Sequence, residues 1–202
     1  EGTGQVVVDF TPEPLTQDVS FVFHIEKTAD VVVDSLTAEI SGIPSTMELT
    51  TGLILAQKTY KLLFRPTYAA LPSAADSASA EALRCEASVN IPGIVRSHTE
   101  DMVTGPGILQ IAIYTHYDYE EEGTQRKAAK VFHAGINLYH TLKERKSLQW
   151  DEEENGYRQA SRSITVEIGS PLNIDKDGIL NGGSTSTGLD QWIPGETFEI
   201  EV

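Results

Sequence analysis

Apolar residues alternate with other residues along several runs of the chain, which is the side-chain period of a β-strand. The first three runs cover residues 19–26, 32–40 and 60–64. Residues typical of turns separate them, at positions 28–30, 41–45 and 51–52. No helical pattern intervenes, so antiparallel pairing is favoured over a parallel sheet with crossover helices.

The same period returns in the second half of the chain. Further strands are predicted at residues 85–91, 108–119, 131–138, 164–168 and 198–202. The charged segment 120–127 predicts a hairpin tip, because acidic residues on one arm face basic residues on the other. Residues 69–83 and 169–188 predict exposed connections, and residues 137–150 carry the one helical stripe, with Leu138 and Leu142 on one side.

The first eighteen residues predict an edge strand followed by a proline-containing lead. Residues 5–10 form a β-branched run that stops at Pro12 and Pro14. Proline has no N–H to donate to a sheet, so the chain leaves the sheet there or lies on its edge. The complete pattern predicts one all-β domain over residues 1–202. Its fold is an antiparallel β-sandwich of transthyretin or immunoglobulin type with seven to nine strands and one short helix.

Composition narrows the classes of partner. The 202 residues are 40% hydrophobic, which is compatible with a packed core, and the formal net charge is −15. Binding to phosphate requires a basic surface, so the acidity argues against nucleic acid as a partner. There is no run of about 18 apolar residues of the kind that spans a membrane. We expect no cofactor.

Several short motifs resemble the fimbrillin-like surface lipoproteins of anaerobic gut and oral bacteria, the family associated with type V pili. They follow the order Thr11-Pro12-Glu13-Pro14, Ile40-Ser41-Gly42-Ile43, Leu49-Thr50-Thr51-Gly52, and Gly188-Leu189-Asp190-Gln191-Trp192 before a closing strand. The resemblance is to the C-terminal sandwich domain of that family. It implies a non-enzymatic pilus subunit, anchor or adhesin accessory on the outer membrane or fimbrium, whose secretion signal and lipid-carrying cysteine lay upstream.

The resemblance also implies assembly by β-strand addition with other pilus or surface-protein subunits, and possible contact with a host protein or glycan. The strand-exchange candidates are Val6, Val8, Phe10, Phe198, Ile200 and Val202. Two features depart from the family pattern. No basic residue precedes Lys27 as a processing site, and a single domain stands where the family has two, so the chain is either a fragment or a shorter relative.

The alternative function is a glycan-binding module of a polysaccharide-uptake system, because aromatic faces stack on sugars. Its candidate platform consists of Tyr114, Tyr117, Tyr119, Trp150 and Trp192. Core or sheet-surface packing is the simpler interpretation of these rings. We expect no enzyme activity, since no nucleophile stands in a Gly-x-Ser-x-Gly elbow and no pair of acids stands out for general acid and base roles.

Three further features allow a metal or thiol interpretation. Residues 173–178 resemble half of a calcium loop, but the position of the bidentate acid holds Ser184, so an Asx turn is favoured. His116 and His133 flank one hairpin and would supply two zinc ligands, without a third. Cys85 is the single cysteine and is interpreted as a small core residue. We therefore predict no metal site.

Overall fold

The computed structural model describes residues 15–50, 53–71, 80–94, 107–138, 141–142, 148–151, 156–159, 162–180 and 192–200. Over these residues the protein is nearly all β, and two sheets pack face to face as a β-sandwich. The predicted fold class is confirmed. The strand predicted at residues 5–10 lies outside the described residues.

Twelve strands are described, which is more than the seven to nine predicted. They are β1 (Gln17–Thr28), β2 (Val31–Met47), β3 (Ile54–Phe64), β4 (Thr67–Ala70), β5 (Ala80–Ile91), β6 (Ile108–Glu121), β7 (Thr124–Asn137), β8 (Leu148–Asp151), β9 (Gly156–Gln159), β10 (Ser163–Glu167), β11 (Leu172–Ile174) and β12 (Ile193–Ile200). The additional strands β4, β8, β9 and β11 have three or four residues each, too few for a period of two to stand out.

The two main sheets have different connectivity. In the β1 sheet the strand order is β10-β1-β5-β4, and β11 pairs with β1 beyond the end of β10. In the β6 sheet the order is β12-β7-β6-β2-β3, and every pair is antiparallel. The pairs of β1 with β10 and with β11 are parallel. They depart from the expected antiparallel pairing because more than 130 residues of chain separate β1 from β10, which is ample for a crossover.

The core lies between the sheets and consists of alternate residues along each strand, whose side chains face inward. Phe21, Phe23 and Ile25 of β1 are almost completely buried. Opposite them, Ile113 and Phe132 of the β6 sheet are fully buried as well. Burying one such side chain stabilises the fold by roughly 1.5–3 kcal/mol. The alternation read from the sequence therefore identified the faces that meet.

A β-bulge replaces the turn predicted at residues 41–45. Strand β2 continues through this segment to Met47, and its register with β3 shifts between Ile40 and Ile43. Gly42 takes φ 76°, the left-handed region that glycine enters without a steric penalty. Pairing of β2 with β6 ends at Ile40, so Pro44 lies where β2 has β3 as its only described neighbour, and proline is tolerated.

The hairpin predicted around residues 120–127 is confirmed. Strands β6 and β7 pair without interruption up to Glu121 and Thr124. The two turn residues, Glu122 and Gly123, have φ 51° and 76°, which is the type I′ turn that matches the twist of a hairpin. Across the arms, Arg126 pairs with Glu121 at 3.0 Å, as the charge pattern predicted.

Three other predicted boundaries are wrong. Leu138, Thr141 and Leu142 are helical as expected, but residues 148–151 form strand β8 instead of the end of that helix. The predicted loop 69–83 is narrower, because β4 ends at residue 70 and β5 begins at residue 80. The predicted connection 169–188 contains β11, whose Leu172 and Ile174 are buried in the core.

Candidate assembly site

An open groove of about 500 Å³ lies beside β5, where the chain passes from β3 to β4. Its lining comes from β1, β5 and β10, from the end of β3, the start of β4 and the connection between them. The lining residues are Ser20, Phe21, Val22, Phe64, Arg65, Thr67, Glu86, Ala87, Ser88 and Thr165. We call this feature the β5 groove.

The β5 groove includes Ala87 and Ser88, which belong to an unpaired strand edge. Strand β1 pairs with β5 along its full length, up to the pair Gln17 and Ile91. On the other side, β4 pairs only with residues 83–86 of β5, from Ala70–Leu83 to Thr67–Glu86. Residues 87–91 therefore have no partner on that side among the described strands. Free N–H and C=O groups along such an edge are a template for another strand.

The walls of the β5 groove suit an extended segment with two different faces. The partly buried Phe64 ring stacks on the buried Phe21 with ring centroids 6.0 Å apart and supplies an apolar side. Ser20 and Ser88 supply a polar side, and their hydroxyls lie 3.3 Å apart. A strand added at the edge of a sandwich has one face on the core and the other outside. The apolar and polar sides of the groove match these two faces.

Charged groups stand at the end of the β5 groove nearest β4. Arg65 is exposed and lines the groove. The carboxylate of Glu86 accepts a hydrogen bond from Arg84 Nε at 2.6 Å, and both side chains are well exposed. Arg65 therefore offers a cation to an acidic residue in an incoming strand.

Strand β4 adjoins the β5 groove and is tied to the other sheet by one side chain. The Tyr68 hydroxyl donates to the backbone oxygens of Val33 at 3.1 Å and Asp34 at 3.0 Å. Both acceptors lie at a bulge in β2, where the register with β6 shifts between Val33 and Ser35. The hydroxyl thus satisfies carbonyl groups at an irregular point of the neighbouring sheet.

The predicted exchange strand at the C-terminus forms an edge of the β6 sheet. Among the described strands, β12 pairs with β7 alone, with Phe198 opposite Val131 and Ile200 opposite Ala129. Strand β3 forms the opposite edge of the same sheet. The other predicted exchange residues, Val6, Val8, Phe10 and Val202, lie outside the described residues, and strand exchange itself stays a prediction.

The predicted aromatic platform is not a single surface. Tyr117 and Tyr119 lie together, with ring centroids 6.2 Å apart, but Tyr114 points to the opposite face because strand residues alternate. Trp192 is 5% exposed, packs edge-on against Phe23 at 5.4 Å and donates its indole N–H to the Ser170 oxygen. Trp150 lies on the separate β8–β9 hairpin. The prediction that Trp192 is a platform residue is wrong, because its side chain belongs to the core.

The two histidines of the hairpin do not meet. His116 is opposite Ala129, whereas His133 is opposite Ala112, so the two are offset by four residues, or roughly 13 Å along the strands. His116 Nδ1 instead lies 2.7 Å from the Asp34 carboxylate. The described part of the chain contains no group of three or more metal-ligating side chains.

The segment 173–178 is an Asx turn, as favoured. One carboxylate oxygen of Asp175 accepts the backbone N–H groups of Asp177 at 2.7 Å and Gly178 at 2.8 Å. That oxygen stabilises the turn, which is the ordinary role of such a residue. An isolated antiparallel β-bridge between Ile174 and Ile179 flanks the turn.

Cys85 is a core residue, as predicted. It is fully buried on the inner face of β5, and burial raises the pKa of its thiol to about 12. Because the thiolate is the reactive form, the folded protein offers no nucleophilic cysteine near neutral pH.

No known family model, curated protein or solved structure matches this chain. The resemblance to fimbrillin-like proteins therefore rests on the short motifs alone. None of the helical segments in the described part of the chain is long and apolar enough to span a bilayer.

Sequence reasoning missed the residues that shape the β5 groove and the two buried cations, Lys27 and Lys130. Arg65, Tyr68 and Glu86 sit in segments whose pattern gives no sign of a groove. Lys130 had a detectable signal, because it occupies the same side of β7 as the buried Phe132. Its Nζ donates to the Lys176 oxygen at 2.8 Å and lies 5.6 Å from the Tyr117 ring centroid, so it connects the two sheets.

Proposed function

We propose that this protein is a non-enzymatic, fimbrillin-like cell-surface subunit that assembles by β-strand addition, and that the β5 groove accepts the strand. The observation that carries the proposal is the coincidence of an open groove with the unpaired edge at residues 87–91. Main-chain hydrogen bonds supply affinity in this mode of recognition, and alternate side chains supply specificity.

The donor in this proposal is the segment 5–10 of a neighbouring copy. Its sequence alternates Val6, Val8 and Phe10 with Gln5, Val7 and Asp9. The first set suits the apolar side of the groove at Phe64. Asp9 has the charge that the exposed Arg65 would attract.

Support for a binding role over catalysis comes from the chemistry of the groove. Its polar residues are four hydroxyl residues on β1, β4, β5 and β10, with Arg65 and Glu86 at the end nearest β4. Under the proposal these side chains border a backbone docking site. The outer-membrane location and the upstream lipid anchor follow the family resemblance and are part of the same proposal.

A cross-linking experiment tests the donor and the acceptor together. One tagged sample carries Ser88→Cys and a second sample of different mass carries Val7→Cys, which alternation places on the same face of the added strand as Ser88. We expect a mixed disulfide adduct of the two after mild oxidation, because strand addition brings residue 7 of one copy to the polar side of the groove of another. The native Cys85 is buried and does not compete.

The matched control replaces Ser88→Cys by Thr124→Cys, an exposed position at the tip of the β6–β7 hairpin. An adduct yield with Ser88→Cys no higher than with Thr124→Cys would contradict the proposal. The glycan-binding alternative gains no support from the aromatic residues, since the five rings do not share one face. A glycan array showing saturable binding would favour that alternative.

A further inference from the structure

We propose that β4 is a displaceable strand held over the β5 edge by the Tyr68 hydroxyl, and that its release exposes residues 83–91 as one continuous docking edge. The inference rests on the proposed function for the identity of the incoming strand. It adds the way in which access to the groove is regulated. The partner is the extended segment of a second copy of this chain that contains residues 5–10.

The length of the free edge motivates the proposal. About half of the residues on a strand edge point both N–H and C=O away from the paired neighbour. Residues 87–91 therefore offer roughly two or three such residues, whereas residues 83–91 offer roughly four or five. Strand β4 covers the difference, since it pairs with residues 83–86. Its departure nearly doubles the hydrogen-bonding edge.

Strand β4 is weakly held compared with its neighbours. All four of its side chains are exposed, so it contributes no fully buried residue to the core. By contrast, Val19, Phe21, Phe23 and Ile25 of β1 are at most 1% exposed. Segments with few buried apolar contacts open locally at a small fraction of the global unfolding free energy. Strand β4 is thus the part of the β1 sheet that opens most easily among the described strands.

Besides backbone pairing, two side-chain hydroxyls hold β4 in place. The Thr67 hydroxyl donates to the backbone oxygen of Glu86 at 3.3 Å, within the same sheet. The Tyr68 hydroxyl reaches the other sheet and bonds to the oxygens of Val33 and Asp34. The tyrosine bond is the only one of the two that ties β4 to a different layer, so it is the contact whose loss should free the strand.

The first experiment measures release of β4 without any partner. Hydrogen–deuterium exchange is followed in the full chain and in Tyr68→Phe, which removes the hydroxyl and keeps the ring. We expect the amides of residues 67–71 to exchange about five- to tenfold faster in Tyr68→Phe, the effect of losing one hydrogen bond. Tyr60→Phe, at an exposed tyrosine of β3, is the matched control and should leave them unchanged.

Equal exchange at residues 67–71 in Tyr68→Phe and Tyr60→Phe would overturn the role of the hydroxyl. Protection of residues 67–71 as strong as that of the β1 amides in the unmodified chain would overturn displaceability itself. Both outcomes are independent of whether any partner binds.

The second experiment adds a peptide with the sequence of residues 4–11. We expect it to protect the amides of residues 87–91, to expose those of residues 67–71, and to bind Tyr68→Phe about five- to tenfold more tightly than the unmodified chain. Protection of residues 87–91 with β4 still protected would refute displacement and leave the proposed function standing. Absence of binding to both proteins would refute the proposed donor, while accelerated exchange in Tyr68→Phe would still support a releasable β4.

Discussion

At the scale of single residues, Cys85 connects burial with a measurable pH dependence. Its thiol is enclosed on the inner face of β5, and burial raises its pKa from 9.0 to about 12. In the unfolded chain the thiol ionises near its ordinary value. Below that value both states hold the proton, so the thiol does not alter the free energy of unfolding with pH.

Above pH 9 the unfolded state releases the thiol proton while the folded state keeps it. The free energy of unfolding should therefore fall as pH rises from about 9 towards 12, relative to a variant without the thiol. We expect the stability difference between the native chain and Cys85→Ala to shift in favour of the variant over this range. Urea unfolding of both proteins at pH 7, 9 and 10.5 measures it, and a constant difference would contradict the assigned burial.

Two buried lysines show how a charged residue can occupy a core-facing position of a strand. Lys130 lies on the inward side of β7 but directs its Nζ to a backbone oxygen and an aromatic ring at the end of the sandwich. Lys27 is 7% exposed and pairs with Glu81 at 2.7 Å. A long side chain can bury its methylene groups while its charge reaches a partner, which explains lysine on a core-facing register.

At the scale of elements, the β6–β7 hairpin depends on two residues in left-handed conformations. Gly123 has φ 76°, and a Cβ added there would meet no atom within 4 Å. The cost of a substitution is therefore conformational and not steric crowding by neighbours. Non-glycine residues pay roughly 1–2 kcal/mol in this region, with Asn among the best tolerated.

We expect Gly123→Ala to lower the free energy of unfolding by about 1 kcal/mol. Gly123→Asn is the matched variant and should lose less, because Asn enters the left-handed region more readily. Chemical denaturation of the three proteins gives the comparison. Equal stability of Gly123→Ala and the native chain would show that the turn does not need its type I′ geometry.

The elements also show where local patterns mislead. Residues 41–45 have the composition of a turn, yet β3 pairs with β2 on both sides of Gly42 and holds the segment in the sheet as a bulge. The predicted helix at residues 137–150 begins correctly, but its last residues pair with β9. In both cases a partner distant in sequence decided the conformation, and no local pattern carries that information.

At the scale of the whole molecule, the core spans both sheets and should make them unfold together. The cluster contains Phe21 and Phe23 from one sheet and Phe132 from the other. Since each sheet buries its apolar face only against the other, neither has a separate core.

We expect Phe132→Ala to lower the free energy of unfolding by about 3–5 kcal/mol, because Phe132 is fully buried. Leu63→Ala, at a residue that is 71% exposed, should change it by less than about 0.5 kcal/mol. Circular dichroism and tryptophan fluorescence should report a single transition. If Phe132→Ala is already unfolded without denaturant, the milder Phe132→Leu is measured in its place and should lose part of the same stability.

The β5 groove also belongs to the scale of the whole molecule. Ser20, Ser88 and Thr165 come from three strands separated by many residues, and they meet only because β1 lies between β5 and β10. The sequence identified the terminal runs as candidate partners for a sheet edge. It did not identify the acceptor, because an unpaired edge is defined by where a neighbouring strand stops.

The sequence by itself determined the all-β class, most of the long strands, their inward faces, the hairpin at Gly123 and the buried state of Cys85. These follow from alternation and turn chemistry, which act between residues close together in the chain. The tertiary structure decided the strand order, the parallel pairs of β1, the bulge at Gly42, the burial of Trp192 and the position of the groove. Those depend on which distant segments share hydrogen bonds and a core, and a side-chain pattern fixes the face of a strand without choosing its neighbour.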